Sequence, residues 1–444
     1  MSRSWTDCQQ QAIKNKGENL LVAAGAGSGK TSVLIERIIQ MIMNEENAVN
    51  VDELLVVTYT NAAAAEMRHR LGKAIHAALL KAPASAHLRR QLALLQRAHV
   101  TTLHAFCKDI VTKYFYLLDL PAKARIGSEA ELGALQNKVL DDLFEAYYAQ
   151  EPSPLKMLLA HYNRGVGDDG LRSLILKIAE FSYSMPQPES WLQSLKQPYA
   201  QGDITQWLHI LTQAVTEELK GLCLLLDKAL AYANDAANGL QKYVPVITEE
   251  AEALKQLANA EMGDWDAFAA QVNQLSFGRL PAATAKMGAD EAIKARVKHL
   301  RDTVKEAISA IKSRYTAHTE AAMLAQICRV APMACALAEL TEAYCTAWQA
   351  AKTKKKLLEF HDLEHYCLRL LTDAENGVQA ELQNSFRELF IDEYQDINQV
   401  QEAILRALSR GNNRFMVGDI KQSIYRFRLA EPALFLEKFH AYGV

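Results

Sequence analysis

Short apolar runs rich in branched side chains, each followed by a stretch with helical spacing, occur near both ends of the chain. They are NLLVA at 19–23, ELLVVTYT at 53–60, ELFIDE at 388–393 and RFMVGD at 414–419. Uninterrupted apolar runs of this length are typical of parallel strands that are buried on both faces of a sheet. The pattern predicts α/β units whose sheet takes its strands from two separated stretches of the chain.

From about residue 120 to 354 the pattern is helical instead, in segments rich in Ala, Leu, Lys and Glu such as 131–150 and 290–315. The segments EPSP, NRGVGDDG and MPQPES interrupt it and are typical of loops. We therefore predict an α/β core interrupted by a large all-helical inserted domain. The predicted parts are 1–118 (first part of the core), 119–354 (the insertion) and 355–444 (second part of the core).

Composition narrows the class of protein only modestly. A chain of 444 residues that is 50% hydrophobic can form more than one core, and its net charge of −3 restricts any nucleic-acid binding to local patches. Seven scattered cysteines without a CxxC motif suit a reducing compartment, and MSRSWTDCQQQ does not resemble a signal peptide, so we expect a cytoplasmic protein. The longest apolar stretch, 321–340, contains Gln326, Arg329 and Pro332, which favours a buried or helix-packing segment over a membrane span.

The first apolar run leads into AGAGSGKT, a sequence typical of a phosphate-binding loop. Glycines permit a tight turn whose backbone N–H groups point at phosphate oxygens, Lys30 neutralises the β and γ phosphates, and Thr31 ligates magnesium. The strict pattern begins with glycine, and Ala24 is a small departure from it. The predicted ATP and Mg²⁺ cradle consists of Ala24, Gly25, Ala26, Gly27, Ser28, Gly29, Lys30 and Thr31.

An acidic pair, Asp392 and Glu393, follows the strand predicted in ELFIDEYQD. A phosphate loop needs a second magnesium ligand and a group that orients the attacking water. We therefore predict that Asp392 binds the metal and that Glu393 is the water-activating base. Alone the pair would more often be a solvated turn, and its association with the loop gives it meaning.

The segment FMVGDIKQSIYRFR again runs from a strand into a loop. Gln422 is placed to sense the γ phosphate, while Tyr425 and Phe427 alternate with Arg426 and Arg428. Rings that stack on bases and guanidinium groups that pair with phosphates are typical of single-stranded nucleic-acid binding. From spacing alone, two core rings with solvated arginines are equally consistent.

In their order, these segments resemble the superfamily 1 DNA helicases of the UvrD/Rep type. WTDCQQQAI resembles their adenine-reading segment, AGAGSGKT motif I, VVTYTNAAAAEM motif Ia, TTLHAF motif Ib, FIDEYQDINQVQ motif II and VGDIKQSIYRFR motif III. Within the family, KKKLLEFHDLEHYCLRLL and the segments of motifs II and III are most similar to the A subunits of bacterial AddAB helicase–nucleases. The likeness covers roughly 1–118 and 355–444, and the helical insert only by position.

The resemblance implies a RecA-like P-loop NTPase domain that moves along single-stranded DNA in the 3′ to 5′ direction and acts in double-strand-break repair and recombination. It implies that Gln9 contacts the adenine edge, and that the loop lysine, the acidic pair and Gln422 take the ATP roles given above. Phe427 stands where many relatives have tryptophan and is expected to stack. The residues implied to contact DNA are Thr58, Tyr59, Thr60, Asn61, Thr102, His104, Tyr425, Phe427 and Arg428.

Such helicases have a second core domain with motifs IV to VI, and the AddAB-type proteins also have a nuclease domain; neither is found within these 444 residues. We therefore expect an N-terminal piece that binds Mg–ATP and single-stranded DNA but hydrolyses ATP slowly, since the arginines of the second domain contribute about 10³ to 10⁵ in related enzymes. The implied partners are duplex DNA ends and a B-type helicase–nuclease subunit in a heterodimer, with no membrane. A UvrD/Rep-type repair helicase without a nuclease, and a non-catalytic ATP- and DNA-binding fragment, are the alternatives.

Three weaker signals have ordinary interpretations. HDLEH (361–365) matches a zinc-peptidase pattern, but it needs a further ligand, and a surface or packing role is favoured. The lysines at 352 and 354–356 suit a solvated helix end better than a DNA contact. Asp396 is expected to cap the following helix or to form a hydrogen bond at the sheet edge.

Overall fold

The computed structural model describes residues 4–43, 49–118, 120–121, 123–150, 154–162, 167–260, 263–284, 288–424 and 429–443. The strands are β1 Leu20–Ala23, β2 Leu54–Thr58, β3 His99–Thr102, β4 Arg125–Ile126, β5 Leu357–Leu358, β6 Glu388–Ile391 and β7 Arg414–Gly418. The helices are α1 Asp7–Lys14, α2 Lys30–Met43, α3 Asn61–Lys81, α4 Ala86–Leu94, α5 Leu103–Lys113, α6 Glu129–Tyr148, α7 Pro154–Tyr162, α8 Asp169–Ser182, α9 Pro188–Ser194, α10 Gln197–Gln201, α11 Thr205–Asn234, α12 Val244–Ala258, α13 Trp265–Gln274, α14 Glu291–Arg314, α15 Glu320–Lys355, α16 Phe360–Thr372, α17 Val378–Ser385, α18 Gln399–Leu408 and α19 Pro432–Tyr442.

Five parallel strands form the main sheet in the order β1-β7-β6-β2-β3. The four predicted strands are present, and the sheet does combine the two ends of the chain, which confirms the predicted fold class. Strand β3 was not predicted, because HVTT contains one large apolar residue and lies at the edge of the sheet. A second, two-stranded parallel sheet pairs β4 with β5.

Alternate residues of the strands enter two separate cores, one on each face of the main sheet. Leu389 and Ile391 of β6 pack with side chains of α5, α16 and α18, whereas Phe390 packs with side chains of α2 and α3 on the opposite face. Burial on both faces explains why these strands are apolar without alternation. The three layers hold the carboxyl ends of the strands in fixed relative positions.

The chain divides into two compact units, one of residues 1–193 with 337–444 and one of residues 194–336. In the second unit, α11, α12, α13 and α14 enclose their own core, and Arg301 forms a buried ion pair with Glu250. From 129 to 355 the described residues contain helices and loops and no strand. Helices α6 to α8 belong to the compact unit that contains the sheet, and the domain boundaries at 118 and 354 stay a prediction.

Helix α15 contains the apolar segment 321–340, with Pro332 inside the helix. By length and composition alone it is long and apolar enough to cross a membrane, which is weak evidence for a span. Only 11% of its most apolar 18-residue window is buried, so most of this window does not show the burial expected from the sequence.

Candidate nucleotide and DNA site

The candidate site lies at the carboxyl edge of the main sheet, where ligands bind in open α/β folds. Because β1, β7 and β6 are parallel neighbours, the residues that follow them meet at one edge. The loop of residues 24–29 follows β1, Asp419 follows β7, and Asp392 with Glu393 follows β6. The backbone N–H of Ala24 donates to the carbonyl of Gly418 at 3.2 Å, which joins the loop to the end of β7.

The loop has the backbone geometry that its glycines permit. Gly27 and Gly29 have φ values of 74° and 87°, in the left-handed region that side chains disfavour. A turn joins Ser28 N to Gly25 O at 3.3 Å, and α2 begins immediately afterwards at Lys30. The first turn of α2 contains no acidic residue, so its N–H groups and positive dipole end are suited to an anion.

Lys30 lies against this loop rather than away from it. Its Nζ donates to the carbonyl of Ala24 at 2.8 Å and approaches that of Gly25 at 3.4 Å. Gln9 packs on the other end of the loop: its Nε2 donates to Ser28 O at 2.9 Å, while its Oε1 accepts from Thr6 N at 3.0 Å. Both amide atoms of Gln9 therefore have protein partners beside the loop, and its adenine contact stays a prediction.

The two acidic residues differ in environment. Burial and the neighbouring Glu393 carboxylate raise the pKa of Asp392 to about 6, while the Lys30 ammonium acts in the opposite direction. A carboxylate in this position gains from a nearby cation. Glu393 has φ 53° and ψ 45°, a left-handed backbone that costs a non-glycine residue about 1–3 kcal/mol and is concentrated at functional sites.

The segment after β7 contributes two more polar side chains. Gln422 Nε2 donates to Asp419 Oδ2 at 2.8 Å, and that oxygen is 3.9 Å from where a Cβ of Gly25 would lie. Asp419 therefore stands between the loop and Gln422. Sequence reasoning did not single out Asp419 or Gln395, since a buried polar contact between strands leaves no periodic signal.

Residues implied to contact DNA gather at the ends of β2 and β3. Thr58 and Thr102 are register partners, and Thr102 Oγ1 lies 3.5 Å from Asn61 Oδ1. Thr60 and Thr102 are the N-caps of α3 and α5, so each also fixes a helix start. Tyr59, which follows β2 directly, is half-buried.

His104 extends this edge and is partly exposed. Its Nε2 lies 3.3 Å from Oε1 of the buried Glu364, which also accepts a hydrogen bond from Gln401 at 2.7 Å. The Phe360 ring packs edge-on to His104 with centroids 5.8 Å apart and is 57% exposed. An aromatic side chain open to solvent beside a predicted DNA contact suits base stacking, and no periodic pattern in the sequence pointed to it.

Tyr425, Arg426, Phe427 and Arg428 lie outside the described residues, so their predicted roles are carried by the sequence alone.

The lysine at 352 corrects one expectation from the sequence. It is not part of a solvated helix end: its side chain is fully buried, and its Nζ contacts Asp362 at 2.7 Å and Glu359 at 2.8 Å. The ligand atoms of Glu359, His361 and Asp362 are close enough together to hold a metal ion, but an ammonium already neutralises both carboxylates.

The two histidines of HDLEH have packing roles around Tyr183. His361 stacks on the Tyr183 ring at 4.1 Å, and His365 Nε2 lies 2.9 Å from the Tyr183 carbonyl oxygen. This agrees with the packing role favoured from the sequence. Asp396 does not cap the next helix, since Asn398 has that position; its Oδ2 instead accepts a hydrogen bond from Gln395.

The arrangement fits a magnesium nucleotide. A glycine loop at a helix start, a lysine within that loop and a half-buried carboxylate of raised pKa supply anion binding, charge neutralisation and a metal ligand at one edge. Fold and site together define a P-loop nucleotide-binding domain of the RecA-like class.

The family model for the UvrD/REP helicase N-terminal domain matches residues 5–443, and the chain belongs to this family. This confirms the resemblance inferred from the motifs. Similar proteins include the A subunits of the ATP-dependent helicase/nucleases of Anoxybacillus flavithermus (40% identical over 99% of this chain and 38% of the relative) and Geobacillus kaustophilus (41%, 98% and 36%). The chain thus spans little more than a third of the length of these relatives, and membership of a helicase family implies use of ATP.

Proposed function

We propose that this chain is the ATP- and single-stranded-DNA-binding front part of a DNA helicase motor. The observation that carries the proposal is the convergence of the glycine loop, the acidic pair and the Asp419–Gln422 pair at one sheet edge, beside the threonine ends of β2 and β3. Nucleotide and DNA residues then share one rigid sheet, which is what a motor needs in order to couple them.

In this proposal the loop amides and Lys30 bind the triphosphate, while Thr31 and Asp392 hold Mg²⁺. The metal, when bound, neutralises charge that develops on the phosphate oxygens. Glu393 orients the attacking water and accepts its proton, and Gln422 responds to the γ phosphate. The left-handed backbone at Glu393 supports this role, because it turns the residue after Asp392 sharply at the strand end.

For the whole protein, we propose ATP-driven 3′ to 5′ movement on DNA in double-strand-break repair, in the cytoplasm. The names of the relatives, which are helicase/nuclease subunits, support this proposal and also a heterodimer with a second helicase–nuclease chain. A partner surface on this chain is not needed for the nucleotide and DNA binding proposed above.

Equilibrium binding tests the proposal directly. We expect the 444-residue chain to bind a fluorescent ATP analogue in the presence of Mg²⁺, and oligo-dT by fluorescence anisotropy. Lys30→Ala should weaken nucleotide binding by roughly 10- to 100-fold, since hydrogen bonds to charged groups contribute about 1.5–3 kcal/mol.

The matched control is Lys81→Ala, which removes an exposed lysine at the end of α3 and should leave both affinities unchanged. Nucleotide affinity that is the same in Lys30→Ala and in the unmodified chain would contradict the assignment of the loop.

A further inference from the structure

Gln395 lies between two parts of the site that follow different strands. Its side chain is 1% exposed, in the short turn after β6. Its Nε2 donates to Glu393 Oε2 at 2.9 Å and to Asp396 Oδ2 at 3.2 Å. Its Oε1 accepts from the backbone N–H of Asp419, after β7, at 2.9 Å.

The connection continues along the segment 419–423. Asp419 Oδ2 accepts from Gln422 Nε2 at 2.8 Å, and Ser423 Oγ lies 3.5 Å from the Gln395 carbonyl oxygen. The same Asp419 oxygen faces Gly25 of the phosphate loop. One buried amide therefore joins the proposed base, Glu393, to the segment that follows β7.

The partners fix the orientation of this amide. A rotated amide would direct its oxygen at the two carboxylates and its NH₂ group at a backbone N–H, which leaves every contact repulsive. Gly418 permits the close approach, since a Cβ at that position would clash with Gln395 Oε1. Buried polar contacts of this kind have few alternative arrangements, because each unpaired group is costly.

We propose that Gln395 is a positioning residue that holds the Glu393 carboxylate and couples it to residues 419–423. A nucleotide at the loop then alters this segment and, through it, the affinity for single-stranded DNA. The inference rests on the proposed function, and by linkage DNA must alter nucleotide affinity by the same factor.

Two substitutions separate the halves of the amide. Gln395→Leu removes both the donor and the acceptor at similar size. Gln395→Glu keeps an acceptor for Asp419 N but replaces the donor by a carboxylate that faces Glu393. The matched control is Gln91→Leu, because Gln91 is equally buried and also uses its donor and its acceptor, toward Asn50 Oδ1 and Val51 N.

The readouts are hydrogen–deuterium exchange of peptides covering 418–424 and oligo-dT affinity, each with and without Mg–AMPPNP. In the unmodified chain and in Gln91→Leu, we expect the nucleotide to change exchange in these peptides and to shift oligo-dT affinity by roughly fivefold or more. In Gln395→Leu and Gln395→Glu, nucleotide affinity should stay close to that of the unmodified chain. Exchange in these peptides should no longer respond, and the shift in DNA affinity should fall below about twofold.

Coupling that persists in Gln395→Leu overturns the inference, and so does loss of nucleotide binding itself, which would make Gln395 part of the binding site. If circular dichroism shows that the leucine variant is unfolded, Gln395→Glu decides by the same criteria. An unmodified chain that does not bind AMPPNP contradicts the proposed function. One that binds AMPPNP and oligo-dT independently contradicts only the inference about Gln395.

Discussion

Ionisation of Asp392 destabilises the nucleotide-free fold at neutral pH, and Asp392→Asn should remove this cost. The pKa of the carboxyl rises from 3.8 to about 6, chiefly through burial and then through the Glu393 carboxylate. The substitution keeps an oxygen at the position that accepts the hydrogen bond from Glu393 N, at 3.2 Å. The loss of charge is therefore its main effect.

The magnitude follows from the two pKa values. Each pH unit between the folded-state and unfolded-state pKa corresponds to about 1.36 kcal/mol, so the ionised carboxylate costs up to about 3 kcal/mol. Because the folded-state pKa is the higher one, the folded protein binds more protons between about pH 4 and 6, and its stability falls as the pH rises through that window. The gain from Asp392→Asn should be roughly half complete at pH 5 and nearly full at pH 7.5.

Urea denaturation at about pH 5 and pH 7.5, without nucleotide, measures this difference in unfolding free energy. Asp142→Asn is the matched control, because Asp142 is exposed on α6 and should show little change at either pH. In the presence of Mg–AMPPNP the order should reverse, since the variant lacks the proposed metal ligand. A variant that is no more stable at the higher pH, or a gain that is equal at both pH values, would refute the reasoning.

Three further outcomes are expected. Lys352→Met should lower the unfolding free energy by about 3–5 kcal/mol, because it leaves two buried carboxylates without their cation; urea denaturation with exposed Lys354→Met as control measures it. Gly418→Ala should cost about 1–3 kcal/mol in the same assay, since its Cβ would clash with Gln395 and lie 2.9 Å from the ring of Phe435, and an unchanged stability would contradict the close approach. Elemental analysis of the purified chain should find no stoichiometric zinc at HDLEH; one zinc per chain would contradict the packing role of its histidines.

The strands were predictable because their burial on both faces leaves a strong local signal. Runs such as 54–57 and 389–391 are apolar at every position, a pattern that differs from the one-sided spacing of surface helices. The edge strand β3 was missed for the same reason, since it needs less apolar surface. The loop and the acidic pair were predictable from spacing, which the backbone requirements of Gly27 and Gly29 restrict tightly.

Contacts between distant segments were not predictable from one sequence. Lys352 stands in a run of lysines that looks solvated, yet the helix turns it inward onto carboxylates ten and seven residues later. Gln395 has the same difficulty, because its partners follow two different strands. At position 396 two side chains compete for one helix start, and Asn398 prevails because it forms a capping box with Gln401.

The strand order has a consequence for synthesis of the protein on the ribosome. Strands β1 and β2 emerge early, but β7 and β6 lie between them, and those strands are encoded roughly 300 residues later. At roughly 5–20 residues per second, translation would leave β2 waiting on the order of 20–70 seconds for its neighbour β6. Residues 194–336 have their own core and are complete in the meantime, whereas the exposed edges of the early strands need shielding by chaperones until β6 and β7 have been made.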